Sequence, residues 1–456
     1  LWSNWQKDFD MRTLLIACLI LFSALPRLWA DDIAPLNAPE NDLVASVLNG
    51  AVRLAPLTQR VWSENDLLRL SAQSDAAQAT ALRRLLLGQQ ASKAHSLSAL
   101  AVLTAESEPR LAWRLYGVTS LGRDVDLVYV ADTTRSLFER RPQMPWAYTA
   151  QLRAYTSLGE WRIGQSPIRW GGGYSGAMLL SDNPPPLFHV DYRTTWHLGR
   201  LLRTWRFEQL AAAFTEDGER RYLMARRLHR ELSPRWEISL AEAFKASKLP
   251  YGMTAFILPF YLYQHIYTWQ LYDRNDDWFN YMAEVQVQYR FNDQMFYFNL
   301  LLDDIQAPRW LTRFRYTTPR KSGVLVGYHV PLPGNGQCVV ELAHTDGDPG
   351  GGVYSFKSPA NRWVYRDAVL GHPVGTNRDM LWLRLDLPIA SRTYLALEHV
   401  NTRRANASPE VPVGKTWKAH LHWLLHEGYS LGISWQQDTT RDDHTDRWLL
   451  QVGRFF

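Results

Sequence analysis

The sequence predicts an all-β transmembrane β-barrel of about eighteen antiparallel strands, with a short helical segment ahead of it. Three observations predict it: an export signal, strands that alternate between an apolar and a polar face, and a chain that ends on Phe455-Phe456 after such a strand. The composition agrees. Trp (20) and Tyr (21) together exceed what a cytosolic enzyme needs and suit interfacial girdles or a sugar-binding surface. Mean hydropathy is only -0.29, which argues against helical spans, whereas alternating strands hide their apolar face from such an average.

Residues 1–10 precede Met11 and read as an upstream extension outside the fold. Arg12, the apolar run Leu14 to Leu25 and the ending Leu28-Trp29-Ala30 before Asp31-Asp32 predict a signal peptide over 11–30, cleaved after Ala30. Residues 31–110 are expected to form a helical segment. Ser63-Glu64-Asn65-Asp66 has the form of a capping box, and Ala76 to Leu87 carries Ala, Leu and Arg at helical spacing up to Gly88.

The barrel is expected over 111–456, with alternation beginning near Trp113. Leu381, Leu383, Leu385 and Leu387 oppose Met380, Trp382, Arg384 and Asp386. Trp417, Ala419, Leu421 and Trp423 oppose Lys418, His420 and His422, and Val285, Val287, Tyr289 and Phe291 oppose Glu284, Gln286, Gln288 and Arg290. A wholly apolar face against a charged one fits lipid outside and a polar lumen better than a solvated sandwich. Glu427-Gly428, Pro388–Ser391 and Pro331–Gly336 read as short turns of one parity, and 347–378 and 403–415 as long loops of the other. The aromatic run from Tyr251 to Tyr272, interrupted by Pro259, does not resolve into strands or an inward-folded segment, and a transmembrane helix beside barrel strands is disfavoured.

Between these strands lies the least ordinary stretch, Arg169-Trp170-Gly171-Gly172-Gly173-Tyr174-Ser175-Gly176, continuing through Leu179-Leu180-Ser181-Asp182-Asn183 to three prolines. Its glycines permit positive φ or close approach of another chain, and Asp182-Asn183 with the prolines end any regular element. It is no phosphate loop, because the Lys-Ser/Thr signature is missing. The stretch resembles the hallmark of the capsule assembly protein Wzi family: Trp-Gly-Pro-Gly, then Ser-Gly, then Leu-Leu-Ser-Asp-Asn-Ala-Pro-Pro. Gly172 stands at the family's proline and Pro184 at its alanine. Tyr297 to Asp304 and the region from Tyr354 to Leu370-Gly371-His372 match the family more loosely. The resemblance implies an eighteen-stranded outer-membrane barrel with a helical piece at its periplasmic mouth, acting as a lectin for capsular polysaccharide.

The chemistry-bearing residues support binding more than catalysis. His344, Asp346 and Asp348 could supply a base and an orienting acid, but no serine stands out as a nucleophile. Adjacent Asp303 and Asp304 would point to opposite faces of a strand and could not flank one glycosidic bond there. His420, His422 and His426 are spaced widely for one metal ion and read as lumen-lining groups. The arginines from Arg193 to Arg230 fit either a lumen ladder or recognition of acidic sugars. Candidate polysaccharide-binding residues are Trp170, Tyr174, Asp182 and Asn183 in the glycine stretch, with Trp363, Tyr365, Arg366 and His372 in the long loop.

The expectation is a non-enzymatic outer-membrane lectin that anchors capsular polysaccharide or exopolysaccharide, with a polysaccharide or solute channel as the alternative. No cofactor or metal is expected. The partners are the glycan, outer-membrane lipid and the barrel assembly machinery; a monomer is expected, and nucleic acid is excluded because the net charge of +5 comes without a basic run. With Cys18 in the signal, Cys338 alone remains, so rigidity must come from a closed hydrogen-bonded wall and not from a disulfide.

Overall fold

In the computed structural model the described residues fall between 93 and 455; outside them lie 1–92, 105–106, 123–124, 133–146, 198–203, 234, 248–278, 292–293, 304–320, 334–335, 349–350, 356–361, 367, 391–392, 405–411, 425–428, 441–443 and 456. The expected signal peptide, the capping box and the aromatic run from Tyr251 therefore fall outside the described residues.

The chain enters the wall through β1 (Lys93–Thr104), β2 (Ser107–Gly122), β3 (Val125–Asp132), β4 (Ala147–Thr156) and β5 (Gly159–Ser166). It continues through β6 (Leu187–His197), β7 (Thr204–Glu216), β8 (Glu219–Glu231), β9 (Trp236–Ala246) and β10 (Phe279–Phe291). Next come β11 (Gln294–Asp303), β12 (Lys321–Leu332) and β13 (Gly336–Thr345). Two small hairpins follow outside the wall sheet, β14 (Gly347–Asp348) with β15 (Gly351–Gly352), and β16 (Val364–Tyr365) with β17 (Ala368–Val369). The wall is completed by β18 (Arg378–Ala390), β19 (Thr393–Arg404), β20 (Pro412–Leu424), β21 (Tyr429–Thr439) and β22 (His444–Phe455).

These form one 18-stranded antiparallel sheet in which β13 pairs with β18 across the two hairpins and β1 pairs with β22. The cycle of pairings is thus closed, and a closed cycle has no edge strand left to seek a partner.

One sequence expectation is corrected here. The helical segment expected over 31–110 does not include 93–110, because Lys93–Thr104 and the start of β2 are strands; 31–92 lie outside the described residues. Ala, Leu and Ser dominate this stretch and favour no state strongly by themselves. Pairing with β22 on one side and β2 on the other decides it, since the wall closes only through β1.

Connections sort cleanly by length. The long ones, 133–146, 167–186, 247–278, 304–320, 346–377 and 405–411, fall at one end of the sheet. The other end has only short turns, including 157–158, 292–293 and 391–392, and also holds the start of β1 and the end of β22. The turn parity read from the sequence is thus observed, and it carries through the 250–280 region as a single β9–β10 connection.

Alternation fixes the two faces. Glu341, Tyr297 and Asn299 touch a segment inside the barrel, so their face is the lumen. The opposite face of the same strands carries Leu342, Phe296 and Val326, and large apolar groups such as Leu240, Leu342, Leu397 and Leu450 lie exposed there. Aromatic pairs flank this apolar surface. Trp161–Tyr192 and Trp236–Tyr289 (each 4.5 Å) sit near the short turns, and Trp435–Trp448 (6.3 Å) near the long-loop end. Such a band bounded by aromatic girdles is the outer surface of a transmembrane β-barrel.

On the lumen face, Tyr297 lies directly opposite Gly327, and its ring occupies the space a Cβ would take. Gly327→Ala is therefore expected to cost about 1–3 kcal/mol through overpacking. The Gly414→Ala control meets only ordinary contacts, the nearest Thr402 Oγ1 at 3.6 Å. The temperature at which the folded form converts to the unfolded form in gel electrophoresis should fall for the first variant and hold for the second.

Candidate functional site

After Ser166 the chain leaves the wall and enters the lumen. Trp170 and Leu180 meet in an isolated antiparallel bridge, with the Trp170 N–H donating to the Leu180 carbonyl at 2.8 Å. The glycines make the loop possible. Gly171 and Gly173 have φ of 131° and 124°, and a side chain at Gly173 would strike the Gly176 carbonyl and Leu325. The Arg169 guanidinium pairs with Asp182 at 2.7 Å and donates to the Gly173 carbonyl, which fastens the neck of the loop.

A loop inside a barrel lacks a neighbouring strand, so wall side chains must satisfy its backbone. Glu341 of β13 does most of this: its carboxylate accepts the Ser175 N–H at 2.7 Å together with the Tyr174 N–H and the Tyr297 hydroxyl. Asn299 of β11 donates to the Gly172 carbonyl at 2.8 Å. The loop starts from β5 and docks on β10–β13, on the far side of the lumen.

The connection 346–377 descends onto the same loop. Ser181 N donates to the Leu370 carbonyl (2.6 Å), Trp363 Nε1 to Leu179 (2.9 Å), the Tyr354 hydroxyl to Met178 (2.5 Å) and Asn183 Nδ2 to Val369 (3.0 Å). Burial raises the Tyr354 pKa, which keeps the hydroxyl a donor. Lys245 of β9 pins the hairpin from the wall side. Its fully buried ammonium donates to the carbonyls of Arg362 (2.9 Å) and Val364 (2.7 Å) and to the Glu216 carboxylate, so its three protons are all used. The result is a plug.

The eight sequence-predicted residues all belong to this plug, and the structure corrects the role expected of several. Trp170, Trp363, Tyr365 and His372 are buried in it, and a ring with no open face cannot stack on a sugar. Asp182 and Asn183 hold the loop neck and the hairpin through the bonds given above. Both are half-buried, as is Tyr174, and only Arg366 of the eight is exposed. Arg366 is exposed at the tip of the β16–β17 hairpin, at φ 49° with its guanidinium 5.2 Å from the Tyr365 ring centroid. Tyr174 is half-buried at the bottom of the plug, its ring 6.1 Å from both His329 and Trp382. Glu341, Asn299 and Lys245 were not picked out from the sequence. Each is one polar residue in an alternating strand, and nothing local marks it as a plug contact.

His372 packs against Ser175, an arrangement that invites a hydrolytic reading. Its Nδ1 accepts the Val374 N–H at 3.1 Å, so the proton sits on Nε2 and points at Ser175 Oγ, 3.0 Å away. A ring that donates to the hydroxyl cannot withdraw its proton, and burial with the nearby Arg169 charge lowers the His372 pKa to about 3. His344, the other histidine weighed for catalysis, is held between Asp379 (2.7 Å) and Asp346 (3.0 Å) at the end of its strand. Asp303 binds the Tyr354 N–H and caps the plug, and His420 bonds Ser434.

Below the plug the lumen wall carries ion pairs: Arg193 with Asp191 (3.2 Å), Arg290 with Glu237 (2.8 Å), Arg384 with Asp386 (2.8 Å) and Lys418 with Glu398 (2.7 Å). Of the arginines noted in sequence, Arg193 and Arg227 belong to this ladder, while Arg200 and Arg203 lie outside the described residues.

No family model and no curated protein matches this sequence. Among solved structures the chain is similar to Wzi of Escherichia coli, described as an outer-membrane protein involved in group 1 capsule assembly and a carbohydrate-binding β-barrel. The TM-score is 0.64 at 13% identity, over 93% of this chain and 99% of that one. OpdK of Pseudomonas aeruginosa aligns over 80% of this chain and 98% of its own at 10% identity, with a TM-score of 0.47. OccK3 from the same organism aligns over 80% and 95% at 11% identity, with a TM-score of 0.46. The fold is that of an outer-membrane β-barrel, and it is shared with Wzi over nearly the whole length of both chains.

Two outcomes test the plug. Glu341→Gln removes an acceptor from buried donors, a loss of about 1–3 kcal/mol, and amide exchange at Tyr174 and Ser175 should quicken by roughly ten- to a hundredfold. His372 gives a pH dependence. An unfolded ring takes a proton below its ordinary value of 6.5 and the buried one does not, so plug stability is full above pH 6.5 and declines as pH falls toward 3. His372→Asn should flatten that acid slope in a titration followed by tryptophan fluorescence.

Proposed function

We propose that this protein is an outer-membrane lectin that holds capsular polysaccharide or exopolysaccharide at the cell surface without chemistry. The observation that carries the reading is the plug: two long-loop connections fill the lumen, bond to its wall and to each other, and leave the β16–β17 hairpin as an outward platform. Arg362 and Arg366 stand exposed on that hairpin, and guanidinium groups suit the carboxylates of acidic sugars. The short-turn end, which holds the start of β1 and the end of β22, is assigned to the periplasm and the long-loop end to the outside. The apolar belt and its girdles suit a wall set in lipid, and a protein of that kind would be exported and inserted by the barrel assembly machinery. The fold shared with a carbohydrate-binding barrel supports the same reading. Non-catalytic action is supported by the tautomer of His372, which leaves Ser175 unactivated.

A channel for polysaccharide or solutes is the second reading, favoured by the solvent-exposed Lys418 on the lumen wall below the plug. Planar-bilayer recordings separate the two: the lectin is expected to be electrically closed, whereas steady unitary conductance of the native protein would establish the channel. For the lectin, equilibrium binding of the detergent-solubilised chain to the surface polysaccharide of its source cells should saturate. Arg362→Ala combined with Arg366→Ala should weaken it about tenfold, as loss of charge-assisted bonds worth about 1.5–3 kcal/mol allows. Absence of binding, or shortening of the polymer with time, would overturn the proposal.

A further inference from the structure

The ion pairs of the lower lumen share an asymmetry that pairing alone does not require. Arg193 is 29% exposed and its partner Asp191 4%; Arg384 is 25% exposed and Asp386 2%; Lys418 is 43% exposed and Glu398 17%. Arg290 with Glu237 runs the same way. Arg162 and Arg227 run the other way, withdrawn behind Glu160 and Glu208, as do Arg169 and Lys245 in the pairs that hold the plug. The first four pairs are neutral in sum, but in each of them the cation is the partner more exposed to the lumen.

Position sharpens the point. In the closed cycle β6, which carries Arg193, lies across the barrel from β18–β20, which carry Arg384 and Lys418. The cations therefore line opposite walls of one space. Its roof is aromatic: half-buried Tyr174 stands between His329 and Trp382, and Trp382 is two residues from Arg384 on the same face of β18. Asp386, behind Arg384, is also held by Gln337 at 2.5 Å, so the acid is committed to the wall and the more exposed guanidinium stands on its lumen side. Opposed cationic heads beneath a half-buried tyrosine form a site for an extended ligand with several anionic groups, which describes an acidic sugar chain.

We propose that the lumen below the plug is a second glycan site, open to the periplasmic end and taking a short stretch of uronic-acid-bearing saccharide. It rests on the reading of the protein as a glycan binder, and it is separate from the outer hairpin. The carboxylates of the sugar engage Arg193, Arg384 and Lys418, and one ring lies under Tyr174.

The test is titration calorimetry of the full detergent-solubilised chain at low salt with tetragalacturonate, with maltotetraose as the neutral control and inorganic phosphate as a competitor. Tetragalacturonate is expected to bind saturably, at least tenfold more tightly than maltotetraose, and to weaken as salt screens the charges. Replacing a pair together, Lys418→Gln with Glu398→Gln, leaves no buried carboxylate alone and should weaken binding at least tenfold; Tyr174→Ala gives an independent loss. Equal affinity for maltotetraose, or an unchanged affinity in the paired variant, would overturn the proposal. Competition by phosphate at equal concentration would overturn the glycan assignment in favour of a simple anion site. The outer-hairpin variant separates the two proposals: it should lose surface-polymer binding and keep tetragalacturonate. Tetragalacturonate binding without polymer binding sinks the surface lectin alone.

Discussion

A chain laid inside a barrel has to satisfy its backbone without a neighbouring strand, and that constraint shapes the rest of the molecule. Water could do it in an open lumen, but buried amides without partners are costly. Here wall side chains take the part of the absent strand. Glu341 accepts two successive N–H groups, Asn299 donates to Gly172, and the second loop supplies acceptors at Leu370 and donors at Trp363 and Tyr354. The glycines follow from the same need, because only a backbone without side chains approaches the wall closely enough to be held by it.

The wall was more legible in the sequence than the plug. Alternation is a local property, so Leu381 to Leu387 and Met380 to Asp386 sort to opposite faces in the structure as they do on paper. Turn parity followed, because hairpin length is also local. The start of the wall was misplaced because β1 has no strong alternation and owes its state to partners far along the chain, above all β22. Long-range pairing of that kind leaves no mark on a window of neighbouring residues.

The glycine stretch was recognised as the centre of the chain, and the structure agrees, with a different physical meaning. Trp170, Trp363 and His372 have the composition of a sugar site and the burial of a core. Aromatics with polar edges serve either purpose, and what separates them is whether a face remains open, which depends on partners more than a hundred residues away. Tyr174 is only half-buried, and its neighbours His329 and Trp382 come from β12 and β18. Electrostatic character was equally hidden: the acid and base counts of the ladder nearly balance, and only burial reveals which sign meets the water.

The first loop leaves the wall at β5 and is fastened to β13, across a separation of 166 residues at the Ser175–Glu341 bond. That makes it a strut between two walls that are distant along the chain. Such a strut cannot dock until the opposite wall exists, so the barrel must be largely complete while its bore is still unobstructed. Docking of the loop is then a late event of assembly, after the strands that hold it have paired. The wall-to-loop contacts therefore tie strands far apart in the chain to one another across the bore, as well as holding the loop itself.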